Sequence, residues 1–256
     1  MAHTSGTHTT CPPEVALPLP GALQDPGSGS PPKCVQRVAP EVRSLAVNWA
    51  AIGEQQVEMA MKIILNSYRP LCMTPVGRER AERHGIAPYV DGSIRREPDF
   101  ECEYPSISGL CRCNKLVGRL HEGDVVAYVT VKYGGERRLV SILEVVERFE
   151  NHGEAAAWYR EHTGGVPRNC MVPGNPPLPQ DMAQPCSCKQ GCKGWDREYQ
   201  ERARDYPIFL ACRAQYLELW RPPEVPEDIF GRRFPRTQTP PYISPKELAV
   251  LRAICA

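Results

Sequence analysis

Six charged residues crowd into eleven positions at Asp91, Arg95, Arg96, Glu97, Asp99 and Glu101. Hydroxyls at Ser93, Ser106 and Ser108 accompany them, and Arg112 closes the stretch. Arginine forks and short hydroxyls suit a flat ligand rich in hydrogen-bonding groups, such as a nucleobase or a phosphate. Tyr89, Phe100 and Tyr104 offer stacking faces, with Tyr104 the stacking candidate. The four carboxylates could include a general acid and a general base, although acids beside arginines are usually held ionised. The plain alternative is a surface network in which the charges neutralise one another. Paired charges and hydroxyls at this density are expected outside the core, where chains place binding segments.

Cysteines form the second set. Cys186, Cys188 and Cys192 fall within seven positions, and their thiolates could reach a tetrahedral zinc with Cys170 or Cys212 as fourth ligand. The spacing lacks the paired C-x2-C of a zinc ribbon, so free thiols are the default, and no other cofactor is expected. Cys111-x-Cys113 is equally off pattern. Asn175, between Gly174 and Pro176, marks a rigid turn that either presents backbone amides to a ligand or shapes its loop. His121 and His152, at a turn and a helix start, are expected to be exposed. No nucleophile elbow, P-loop or dinucleotide fingerprint is present.

The elements that must position these groups are read from periodicity and caps. Lys62 to Tyr68 is a buried strand ending before Arg69-Pro70. Thr74-Pro75 starts a helix that Gly85 stops, with Glu79 and Arg83 paired across one turn. A strand pair follows, Leu120–Val131 and Arg138–Val146, joined through Gly134-Gly135. Gly123-Asp124 is the turn into it, glycine taking positive φ and aspartate capping. Asn151 and Glu154 open a helix from Ala155 to His162. Residues 166–194 read as a long Pro/Cys-rich loop, Trp195–Asp205 as a helix, and Ile208–Leu219 as a strand. Ser244-Pro245-Lys246-Glu247 caps a closing helix.

Residues 1–40 are rich in Pro, Gly, Ser and Thr, and residues 41–60 hold one helical pattern broken at Gly53. The ordered protein is expected to start near Met61, leaving 1–60 a disordered extension or a misplaced start. The 256 residues carry 31 Lys+Arg against 30 Asp+Glu, which disfavours a phosphate-coating binder of any nucleic acid. No apolar stretch approaches membrane-spanning length and no secretory leader is visible, so no membrane association is expected. The twelve cysteines are then read as reduced thiols in a cytoplasmic chain.

Three features together resemble a PUA-like domain, the superfamily that includes the EVE, ASCH and YTH branches. They are a strand followed by a short helix, the Asp91-Gly92-Ser93-x-Arg95-Arg96-Glu97-Pro98-Asp99 segment with Pro105-Ser106-Ile107-Ser108, and Gly123-Asp124-x-Val126 leading into a strand pair. The likeness covers roughly residues 61–160, with a late strand at 205–220, and is nearest to the bacterial and phage domains associated with nucleotide modification. It implies an α+β fold built on a curved β-barrel with flanking helices, binding nucleic acid or a nucleotide with a modified base in an aromatic-lined pocket. The tryptophan cage of YTH domains has no counterpart here, because Trp158 lies in a helical pattern and Trp195 follows the cysteine loop. The resemblance therefore implies base or nucleotide binding in general. Asp91, Ser93, Arg95, Arg96, Tyr104, Ser106, Ser108, Arg112 and Asn175 are the expected contacts. An enzyme acting on nucleotides, which would need two converging carboxylates, and a zinc-stabilised interaction module are the other classes.

Overall fold

The computed structural model describes residues 61–110, 117–185, 193–235 and 240–255. Expectations for residues 1–60, Arg112 and Cys186, Cys188 and Cys192 lie outside these. The described residues form an α+β domain on one five-stranded mixed sheet that curls into a half-barrel. Its strands are β1 (Ile63–Tyr68), β2 (Ser106–Ser108), β3 (Val125–Thr130), β4 (Leu139–Phe149) and β5 (Phe209–Leu217), in the order β1-β3-β4-β5-β2. β1 runs parallel to β3 with Ile63 opposite Val125 and Tyr68 opposite Thr130; all other pairings are antiparallel. The helices are α1 (Pro75–His84), α2 (His152–Thr163), α3 (Lys193–Asp205) and α4 (Pro245–Ala253). None is long and apolar enough to cross a membrane.

β1 and β3 are apolar at successive positions because both faces of the sheet are covered. Side chains alternate between the faces. Ile64, Tyr68, Val126 and Tyr128 pack with Phe100, Ile107 and Leu210 on one face. Ile63, Leu65, Val125 and Val129 pack on the other against Val225, Phe234 and α4's Leu248 and Leu251. α2 lies over the far end of β4 and β5, where Tyr159 meets Phe149 and Phe209.

The local signals work as their chemistry requires. Thr74 Oγ1 accepts the Gly77 amide at 3.0 Å, and Gly85 ends α1 at φ 61°. Asn151 Oδ1 accepts two amides at the start of α2, and Ser244 and Glu247 complete a capping box at α4. Arg83 pairs with Glu79. At Gly123, φ is 85°, and Asp124 does more than cap its own turn. Its Oδ2 accepts the His121 amide at 3.0 Å while Oδ1 accepts the Lys62 amide at 2.8 Å, fixing the start of β1 against β3. Asp124→Ala strands both amides and is expected to lower the unfolding free energy in urea by about 2 kcal/mol. A loss under about 0.5 kcal/mol would show that water replaces both bonds.

Both outer edges of the sheet are covered. Leu65 N donates to Pro241 O at 3.0 Å and Ile243 N to Ile63 O at 2.9 Å, so a segment just before α4 pairs with the free side of β1. On the opposite edge, Asp99 and Ser106 exchange backbone bonds of 3.0 and 2.8 Å beside β2.

The charged segment departs from expectation. Asp91, Arg95, Arg96, Glu97, Asp99, Ser106 and Ser108 are all buried, and Ser106–Ser108 is itself a strand of the sheet. Their charges and hydroxyls are satisfied inside the fold, by one another, by the 166–185 loop and by Asp196. His152 also departs: it is buried at the start of α2, edge-on to Phe209 at 5.1 Å.

Candidate functional site

The geometry around residues 91–108 begins with two arginines that face inward. Arg95 is 3% exposed; it pairs with Asp196 of α3 at 2.6 Å and donates to the Asn175 carbonyl at 2.8 Å. Arg96 is 1% exposed and donates to the Asp91, Ser93 and Met182 carbonyls and to Glu101 Oε2. Its backbone sits at φ 50°, a region unfavourable for a side-chain-bearing residue, and these four partners hold it there. Both guanidiniums thus tie the 166–185 loop and α3 to the segment. They are not available to a ligand, which corrects their expected role as contacts.

Asp91 forms the turn beneath them. Its Oδ1 accepts the Ser93 amide at 2.8 Å and the Glu97 amide at 3.1 Å. Burial pushes its carboxyl up to about 6, against the pull of those amides and of Arg96. Burial likewise raises Asp99, whose Oδ2 accepts the Arg168 amide at 2.7 Å. Asn175 shapes its loop, donating to the Pro167 and Cys170 carbonyls at 2.8 and 2.7 Å. Tyr104 packs its ring edge-on against Trp158, centroids 5.1 Å apart, over α2. Neither residue reaches the cavity described next.

A chain of polar groups runs from β2 to Glu97. Ser106 Oγ donates to Asn169 Oδ1 at 2.7 Å, which turns the Asn169 amide nitrogen toward Glu97 Oε2 at 2.9 Å. Ser108 gives the same oxygen its hydroxyl proton at 2.6 Å and gives Oε1 its backbone N–H at 2.9 Å. Three donors are directed at one carboxyl.

Glu97 and Ser108 then form one wall of a cleft enclosing about 370 Å³ of empty space, its open mouth included. Asn66, Ser67 and Tyr68, at the carboxyl end of β1, form the opposite wall, with Tyr128 of β3 beside them. Pro98, Ile107, Val117, Leu120 and Val126 supply the apolar lining. Tyr68, Phe100 and Tyr128 meet edge to face with centroids 5.3 to 6.1 Å apart, so the aromatic side is rigidly packed. Tyr68 donates its hydroxyl to the Tyr89 carbonyl, and burial raises its pKa well above the usual value, so it stays neutral.

Of the described residues expected to bind, only Ser108 lines this cleft; Asp91, Ser93, Arg95, Arg96 and Ser106 build the wall behind it. Asn66, Ser67, Glu97 and Tyr128 were not among the expected contacts. The legible signal was Asn66-Ser67, a polar pair interrupting the apolar run of β1 just before Tyr68. Glu97 is the single carboxylate lining the cleft among the described residues, so the converging acid pair that nucleotide chemistry would need is not assembled there.

No group of three or more metal-binding side chains is assembled among the described residues. Cys212 lies fully buried in β5, and burial, then the charge of Glu97, pushes its thiol up. A zinc ligand must be a thiolate, so this environment opposes the expected role of Cys212. Cys170 is also buried, is pushed up to about 12, and donates to the His152 carbonyl at 3.1 Å. No protein-family model, curated protein or solved structure matches the chain.

Proposed function

We propose that this chain is a PUA-like module that binds nucleic acid, or a nucleotide, by admitting one base into the cleft between β1, β3 and Glu97. The observation that carries the reading is the lining itself. Amide, hydroxyl and carboxylate groups converge above an apolar floor, beside two packed tyrosines, at the carboxyl end of a parallel strand pair. Small-molecule sites are typically apolar clefts with a few placed polar groups. The cleft has that kind of lining, and its enclosed part is small, so a base would enter at its open mouth with the walls giving way to the ring. The curled mixed sheet with helices around it supports the PUA-like assignment. Near-balanced charge fits recognition of a base more than a broad hold on phosphates.

The test is a binding screen of the full chain against short single- and double-stranded oligonucleotides, with and without modified bases, at two salt concentrations. Tighter binding to one modified base, with a shallow dependence on salt, is expected. Asn66→Ala removes a polar arm of the cleft along with the bond its Oδ1 accepts from the Ser67 amide, and, with the fold verified by circular dichroism, is expected to weaken that binding about tenfold. Undiminished binding by a folded Asn66→Ala protein would move the site elsewhere. Binding that ignores base identity and falls steeply with salt would replace the pocket by a phosphate surface.

A further inference from the structure

Resting on the base-pocket reading, we infer that α3 is a polar latch on the cleft: docked, it holds the wall of Glu97 and Ser108 shut, and its release lets that wall give way to a base. The two sides of the cleft differ in what holds them. Tyr68 and Tyr128 lie on paired strands covered on both faces, and they pack edge to face with Phe100. The opposite side ends in β2, a three-residue strand at the rim of the sheet. A short rim strand yields at lower cost than a packed aromatic face.

α3 reaches that yielding wall at two points. Asp196 Oδ1 accepts from Arg95 Nε at 2.7 Å and lies 2.6 Å from its Nη2, and Arg95 stands just ahead of Glu97 in the chain. Arg202 Nη1 donates to the carbonyl of Leu110 at 3.0 Å, just beyond Ser108. One helix thus fastens the wall on either side of the two residues that line the cleft. Its C-terminal end is the fixed one. Tyr206 follows it directly into β5, so close to Gly109 that a Cβ there would come within 2.5 Å of the Tyr206 carbonyl oxygen.

The hold is polar. No described side chain of α3 is buried, and none enters the apolar clusters that pack the sheet. Asp196 keeps 24% of its side chain in contact with solvent, so water can take its place on the guanidinium. A 13-residue helix without an apolar footing is marginal once detached, and it frays. Release therefore costs polar bonds rather than core packing. Because the enclosed part of the cleft is small, a base enters in the released arrangement, and its binding carries the cost of release. Binding and release are then coupled in both directions.

The experiment joins hydrogen exchange to binding, on the full chain. Asp196→Ala removes the partner of Arg95 but leaves Arg95 its bonds to the Asn175 and Arg168 carbonyls, so the wall stays assembled. Glu201→Ala takes the same charge from the same helix, where Glu201 pairs with Arg197 at the surface, and is the control. α3 amides are expected to exchange at least about tenfold faster in Asp196→Ala than in the wild type, with β3 and β4 unchanged. Among short single-stranded oligonucleotides, unmodified and singly methylated, whichever binds the wild type is expected to bind Asp196→Ala about tenfold tighter by fluorescence anisotropy. Glu201→Ala is expected to change neither. In the wild type, saturation with that oligonucleotide is expected to speed exchange in α3, a readout that needs no variant. Exchange in α3 unmoved by Asp196→Ala, or unmoved or slowed by the oligonucleotide, would overturn the inference and leave the base pocket standing. Unchanged or weaker binding by a folded Asp196→Ala protein, or tightening matched by Glu201→Ala, would do the same. Binding of no oligonucleotide by either protein would overturn both.

Discussion

Arg96→Ala is expected to destabilise the protein by about 3 kcal/mol, the upper end of the range for leaving buried polar groups without a partner. The buried Asp91 carbonyl and the part-buried carbonyls of Ser93 and Met182 lose the guanidinium donor at once, and Glu101 loses its cation. Alanine would also inherit a backbone at φ 50° without the guanidinium bonds that hold it. Glycine adopts that conformation freely, so Arg96→Gly is expected to recover about 1 kcal/mol relative to alanine. Urea unfolding gives both values, and alanine matching glycine would show that the backbone relaxes. Hydrogen exchange provides a second readout. The Gln184 amide, bonded to the Gly92 carbonyl at 2.7 Å, should exchange faster in either variant as the loop detaches. Weakened ligand binding by an Arg95 or Arg96 variant would therefore report a loosened wall before it reported a lost contact.

The second large effect is a pH profile hidden by cancellation. Asp91 is raised from 3.8 to about 6 by burial, so the folded protein holds a proton there that the unfolded chain has released. Its contribution to stability is fully present below the unfolded value and is lost as pH rises through about 6. His152 is lowered from 6.5 to about 4 by burial and by the charge of Arg95. Its Nδ1 accepts the Met171 amide at 3.0 Å, so a second ring proton would also displace that bond. Its contribution is present above 6.5 and is lost as pH falls through about 4. Each is worth about 3 kcal/mol across the window, with opposite sign.

The wild-type protein should consequently change little in stability between pH 4 and 6.5 on account of this pair. Asp91→Asn keeps an oxygen for the Ser93 and Glu97 amides but does not titrate, so its stability should climb by about 3 kcal/mol as pH rises through that window. His152→Gln should show the reverse, falling as pH rises. Urea midpoints at pH 4.5, 5.5 and 7 measure both. A profile for Asp91→Asn parallel to the wild type would show that Asp91 titrates alike in folded and unfolded chains.

The elements were legible where their causes are local. β1 announces itself by its apolar run, α1 and α4 by hydroxyl caps and N1 prolines, α1 also by the glycine that stops it, and the β3–β4 pair by its glycines. The PUA-like sequence features pointed to a curved sheet with helices, and a curled mixed sheet with four helices among the described residues is what forms. Burial of residues 91–108 was not legible, because its cause is remote. Arg95 meets Asp196 101 positions away, Arg96 meets Met182 86 away, and Glu97 meets Asn169 72 away. Without those partners, a run of paired charges reads as surface. The cleft was hidden for the same reason: Asn66, Glu97, Ser108 and Tyr128 come to line one cleft only after β1 pairs with β3 and β2 with β5.

The pairing of 241–243 with the free side of β1 has a consequence for synthesis. β1 is among the first described elements to leave the ribosome, yet its neighbour on one side, β3, comes about sixty residues later, and its other neighbour only after all the remaining strands. Until then its main-chain groups and the Ile63 and Leu65 side chains are open to any extended chain nearby. A nascent chain stalled or cut before residue 240 would carry that edge uncovered and lack the Leu248 and Leu251 that roof it. Such fragments should aggregate by strand addition, making the segment just before α4 a seal on β1.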